Sequence, residues 1–62
     1  KKYNCIIVDD DEVARLRVVS AVRKHPSFNI IGHFSSPVSA LSVIEKEKVD
    51  VLFLDIDMPS FS

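Results

Sequence analysis

One cysteine among 62 residues leaves no possibility of a disulfide within the chain. Without a disulfide framework, a reducing cytoplasm is the expected compartment. That cysteine, Cys5, stands in the apolar run Cys5-Ile6-Ile7-Val8 with no histidine at a suggestive spacing, and reads as a buried, inert thiol rather than a nucleophile. Long hydrophobic runs are lacking too. No apolar stretch approaches the ~20 residues of a membrane helix, and no signal peptide is visible. Charge of one sign is not in excess: the net value of −1 gives no global pull toward nucleic acid or an anionic membrane. There are no repeats, linkers or low-complexity segments. His25 and His33 have no partner at metal-ligand spacing and read as surface or internally satisfied histidines.

What is present is an ordinary globular composition, 47% hydrophobic and 27% charged, which argues against disorder. The length allows one small domain. A chain of this size buries only about 60% of its unfolded surface, so its stability is marginal. The run Asp9-Asp10-Asp11-Glu12 is followed by Arg15, Arg17, Arg23 and Lys24. Acid first and base last complements a helix dipole, so the basic residues read as a solvated helix face rather than a binding patch.

Punctuation divides the chain into five elements. Residues 3–8 are apolar and β-branched, end at a cluster of aspartates and read as a buried strand. A helix is expected over 11–25, stopped by Pro26, with Ala14, Val18, Ala21 and Val22 on its packed face and Leu16 and Val19 pointing away. Residues 28–34 form a second strand containing Gly32. Ser36-Pro37 is an N-cap and first-turn pair opening a second helix. In that helix Pro37, Ala40, Leu41 and Ile44 share a face, and it closes in the run Glu45-Lys46-Glu47-Lys48. Val51-Leu52-Phe53-Leu54 lacks polar alternation, which suits a parallel strand covered on both sides. Alternation of strand and helix implies an α/β fold with a parallel sheet. Right-handed crossovers on both faces give a three-layer βαβαβ arrangement with strand order 2-1-3. The third strand is then an uncharged, apolar edge, so further sheet is expected beyond it.

Ligands of open parallel sheets bind beyond the carboxyl ends of the strands, where the strand order reverses. That point collects Asp9 and Asp10 from the first strand and Asp55 and Asp57 from the third. Carboxylates so placed repel unless a cation joins them, and an oxygen-rich set of this kind suits Mg²⁺. Each acid also has a plainer reading. Asp11 is expected to be the helix N-cap or first-turn acid. Asp10 is a second possible cap, Asp57 a turn former before Met58-Pro59, and Asp50 a turn residue at the opposite end of the sheet. Asp55 is hardest to explain so, because a carboxylate directly after four apolar strand residues is costly without a purpose.

The segments Ile6-Ile7-Val8-Asp9-Asp10-Asp11-Glu12 and Asp50-Val51-Leu52-Phe53-Leu54-Asp55-Ile56-Asp57-Met58-Pro59 resemble the receiver domain of two-component response regulators. The resemblance covers nearly the whole chain and about the first half of a receiver, which makes residues 1–62 a partial, flavodoxin-like receiver domain. Asp-Glu-Val-Ala-Arg after the acid pair and Ile30-Ile31-Gly32 are similar to receivers attached to LytTR-type DNA-binding domains. The resemblance implies that Asp55 accepts a phosphoryl group from a sensor histidine kinase. It implies further that Asp9 and Asp10 position Mg²⁺, with Asp55 and the backbone carbonyl of Asp57 completing the protein ligands. The family's switching Ser or Thr and its phosphate-binding Lys belong to later strands, and Lys46 and Lys48 cannot replace that lysine from the sheet's opposite end. The chain is then a phosphoacceptor rather than a turnover enzyme, and DNA binding would belong to a domain outside it.

Two other readings stay open. Leu52-Phe53-Leu54-Asp55-Ile56-Asp57 also resembles the Asp-x-Asp strand of haloacid-dehalogenase-type phosphatases, although Pro59 stands where that family has Thr or Val and Asp9 and Asp10 are left unexplained. A receiver-like interaction module that is not phosphorylated is the third. The unpaired edge would favour a homodimer or strand-exchanged assembly.

Overall fold

The computed structural model describes residues 2–55. Strands β1 (Tyr3–Asp9), β2 (Phe28–Phe34) and β3 (Val51–Asp55) alternate with helices α1 (Glu12–Arg23) and α2 (Pro37–Lys46). The sheet is parallel with the order β2-β1-β3, as the alternation predicts. Its central strand is the most apolar one. Cys5, Ile6, Ile7 and Val8 are each almost wholly buried, because a central strand has a helix layer or a neighbouring strand on every side.

Side-chain parity sorts the core into two layers. Ile6 and Val8 face α2 and pack with Ala40, backed by Ile31, Phe34, Val43 and Val49. Cys5, Ile7 and Asp9 therefore face the other way, toward α1, which lies over β1 and β2. At the amino end of this second layer Phe28 is the hub. Its ring centroid lies 6.5 Å from Tyr3, 5.5 Å from His25 and 6.1 Å from Phe53, the last two edge-on. Pairs of this geometry contribute about 0.5–1.5 kcal/mol each beyond their buried area, and here they tie all three strands to the end of α1.

The β1·β2 register slips by one residue after Cys5, which pairs with Ile30, so that Ile6 pairs with Gly32. Ile31 is the extra residue, and it turns into the α2-side core. The slip explains the glycine. A Cβ on Gly32 would lie 3.0 Å from two ring carbons of Phe34, a ring that belongs to the same core.

Three local expectations are corrected. On α1 the buried residue is Val19, 4% exposed, whereas Ala21 is exposed. The packed stripe runs through Ala14, Arg15, Val18, Val19 and Val22. On α2 the packed residues are Ala40 and Val43, while Pro37, Leu41 and Ile44 are exposed. On α2 the helix is turned so that the small Ala40 meets the sheet, letting the backbone approach closely, whereas on α1 the larger Val19 takes the packed place and the smaller Ala21 stays outside. The third difference concerns β3. Val51 and Phe53 are half-buried on the α1 side, but Leu52 is 45% and Leu54 57% exposed, so among the described residues only one face of this strand is covered.

Candidate functional site

The caps place the acidic run. Asp11 is the α1 N-cap: its Oδ1 accepts hydrogen bonds from the backbone N–H groups of Val13 (3.0 Å) and Ala14 (3.4 Å). Ser36 does the same for α2, its Oγ accepting from the N–H of Val38 at 3.2 Å. With Asp11 engaged by the helix, Asp9 remains the last residue of β1 and Asp10 the exposed turn between them.

Asp9 and Asp55 are register partners at the carboxyl ends of β1 and β3. Neighbouring strands lie about 4.8 Å apart, so the two carboxylates leave the sheet side by side and on the same face. They differ in exposure. Asp9 is 3% exposed and Asp55 is open to solvent. The oxygens of Asp9 differ as well. Oδ1 accepts from the N–H of Asp11 at 3.0 Å, while Oδ2 is buried with no partner. A buried carboxylate oxygen left unpaired costs roughly 1–3 kcal/mol or more, which makes it a place where a cation fits. Beside the two carboxylates an open groove of about 190 Å³ runs between α1 and β3, and Ile7, Val18 and Phe53 are among its apolar walls.

Other predicted residues fall elsewhere. Asp57 lies outside the described residues, as does Met58-Pro59. Among the described residues no three His, Cys, Asp or Glu side chains converge, so Asp10 does not join Asp9 and Asp55 in a closed cluster. Asp50 sits at the far end of the sheet as expected. Its Oδ2 accepts from the N–H of Asn4 and its own N–H donates to the Asn4 carbonyl, both at 2.8 Å, which joins β1 to the start of β3. Burial pushes the Cys5 thiol above its ordinary range, consistent with an inert core residue.

Two residues near the site escaped the sequence reading. Arg15, half-buried on α1, donates from Nη1 to the backbone carbonyl of Asp9 at 3.0 Å and from Nε to Nδ1 of His33 at 3.2 Å. The signal was its place four residues before Val19, which a correct setting of the α1 stripe puts on the packed face.

This chemistry, two strand-end acids at the reversal of a 2-1-3 parallel sheet, agrees with comparison to known families. Residues 5–62 match the response regulator receiver domain. The chain belongs to that family. The receiver assignment places Leu52-Phe53-Leu54-Asp55 in a receiver strand rather than a phosphatase strand. Among curated relatives, an "Uncharacterized response regulatory protein" of Shewanella oneidensis is 41% identical over 94% of the chain and 25% of its own length. The transcriptional regulatory protein BtsR of Escherichia coli is 37% identical over 92% of the chain and 24% of its own length. A protein-glutamate methylesterase/protein-glutamine glutaminase of Pseudomonas savastanoi is 32% identical over 95% of the chain and 16% of its own length. The receiver chain thus spans a quarter or less of each of these relatives. No solved structure matches it. No helix among the described residues is long and apolar enough to cross a membrane.

Proposed function

We propose that this receiver takes a phosphoryl group on Asp55 from a phosphohistidine of a sensor histidine kinase, in the cytoplasm, with Mg²⁺ as cofactor. The observation that carries the reading is the pairing of Asp55, exposed and accessible to a donor, with Asp9, buried and holding an unpartnered Oδ2. A carboxylate oxygen of Asp55 attacks phosphorus in line, an O–P bond forms as the N–P bond breaks, and its electron pair returns to the donor imidazole. Asp9 and Asp55 would hold the metal, with Asp10 acting through water and the Asp57 carbonyl as a further ligand. Mg²⁺ takes one or two carboxylates, waters and a phosphate oxygen, and neutralises charge on the transferring group. Asp11 keeps its N-cap role and stays out of that set.

On this reading residues 1–62 supply the acceptor and metal-binding half of a receiver, a phosphoacceptor rather than a turnover enzyme, and efficient phosphorylation needs the segment that completes it. The segments that complete it, and any output domain such as a DNA-binding one, lie outside this chain. The relative lengths and the exposed leucines of β3 support that reading. The test is intact mass after treatment with acetyl phosphate and Mg²⁺, comparing this chain, a chain extended to receiver length, and the extended chain with Asp55→Asn. A phosphoryl adduct on the extended chain that disappears with Asp55→Asn is the expected result. An extended chain that binds Mg²⁺ yet stays unmodified returns the interaction-module reading.

A further inference from the structure

We infer that Arg15, oriented by His33, is a positioning residue for phosphoryl transfer: it fixes the end of β1 so that Asp9 presents its free oxygen beside Asp55. The inference rests on the phosphoacceptor reading of that site.

Two contacts hold Asp9 besides its strand pairing. Asp9 and Asp55 are the last register partners of β1 and β3 among the described residues. The Arg15 guanidinium holds the peptide joining Asp9 to Asp10, with Nη1 3.0 Å from the Asp9 carbonyl oxygen. Holding that peptide plane fixes the Cα–Cβ direction of Asp9. The N–H of Asp11 then takes Oδ1, so Oδ2 is the oxygen left over. Backbone and side chain are thereby pinned by separate donors, both from the start of α1.

Arg15 is itself held. It is half-buried on α1, and its Nε donates to Nδ1 of His33, which points from β2 toward the same face as Ile7, its register partner. A guanidinium offers several donors in one rigid plane, so fixing Nε fixes the direction of Nη1. His33 thus acts two steps away from the chemistry, across three elements: β2 to α1 to the end of β1. The neighbouring basic residue Arg17 is exposed and makes none of these bonds. The difference between the two arginines identifies Arg15 as a placed residue rather than part of a solvated face.

Arg15 also brings a positive charge to within one peptide of the acids. Charge and geometry therefore predict opposite effects for its removal. Loss of the cation favours Mg²⁺ binding, and loss of the peptide constraint slows transfer. The experiment uses the chain extended to receiver length and measures the rate of acetyl phosphate labelling against Mg²⁺ concentration, well below the melting temperature of each variant. Arg15→Met is expected to lower the maximal rate about tenfold while shifting half-saturation to lower Mg²⁺. His33→Leu, which leaves the charge in place, lowers the maximal rate about fivefold with half-saturation unchanged; these sizes are of the order of one net hydrogen bond lost, at about 1.4 kcal/mol per tenfold. His33→Asn, whose amide oxygen replaces Nδ1 as acceptor, recovers the rate to within about twofold. Arg17→Met is the control and leaves both parameters alone.

Variants of Arg15 and His33 that melt earlier but label at the unaltered rate would reduce the pair to a packing role and overturn the proposal. An unaltered protein that labels equally well with Asp55→Asn would overturn the phosphoacceptor reading itself. The second outcome is recognised without any Arg15 or His33 variant.

Discussion

At Asp9 one carboxylate carries two unequal oxygens, one bonded to a backbone N–H and one buried and alone. Without a cation the second oxygen opposes folding, and with one it becomes a ligand. Asp9→Asn keeps the shape and removes the charge. In chelator the variant is expected to melt several degrees higher, since about 1 kcal/mol shifts a domain of this size by roughly 4–8 °C. Added Mg²⁺ should then reverse the order. At ten times its Kd a ligand stabilises by about 1.4 kcal/mol, and only the unaltered chain should gain it. An equal Mg²⁺-dependent rise in both proteins would remove Asp9 from the metal site. Cys5 gives a second test at this scale. Its folded thiol titrates above the unfolded one because burial penalises the thiolate. Stability is therefore full below the unfolded thiol value of about 8.5 and declines as pH rises from there through the folded value. Ellman's reagent should react slowly with the native chain and at once in denaturant. Rapid native labelling would show that the central strand opens locally.

Caps and faces are decided at the scale of elements, and the sequence was legible here to different depths. Strand ends and helix starts follow from punctuation, because Asp11, Ser36-Pro37 and Pro26 act on the backbone directly and need no tertiary partner, and the 2-1-3 order follows from right-handed crossovers on both faces. The rotational setting of each helix did not follow. α2 has two adjacent apolar stripes, one through Ala40 and Val43 and one through Val38, Leu41 and Ile44, and hydrophobicity favours the second. Close approach to the sheet favours the first, since Ala40 lets the α2 backbone settle over Ile6 and Val8. On α1 the larger residue took the packed place instead, Val19 turning inward rather than Ala21, and Arg15 with it. Asp9 and Asp55 were legible because strand-end acids at a switch point need only topology; Arg15 and His33 were not, because their bond depends on helix rotation. Asp11 separates a capping role from a ligand role. Asp11→Ala should cost about 1 kcal/mol in urea denaturation and leave Mg²⁺ affinity unchanged, because its contact with Asp9 is made by backbone. A large loss of Mg²⁺ affinity would make Asp11 a ligand after all.

Across the whole molecule, the two layers of the sheet are unequally finished. The α1 side of β3 contributes Phe53 to an aromatic hub and Asp55 to the site, whereas Leu52 and Leu54 on the α2 side meet solvent. Fully burying a leucine is worth about 1.5–3 kcal/mol, and with Leu52 45% and Leu54 57% exposed about half of that is unrealised. The strand that carries Asp55 is thus the least secured of the three. If further receiver elements cover that face, the same substitution must have two different costs. Leu54→Ala should change the stability of the 62-residue chain by no more than about 0.5 kcal/mol, as for an ordinary surface site. In a chain extended to receiver length it should cost about 2–5 kcal/mol, as for a buried leucine. Hydrogen exchange would show the same contrast, with β3 amides protected only in the longer chain. Equal small effects in both chains would mean that Leu54 stays exposed in the complete receiver, and the apolar face of β3 would then be a surface for a partner rather than an interior awaiting the rest of the fold.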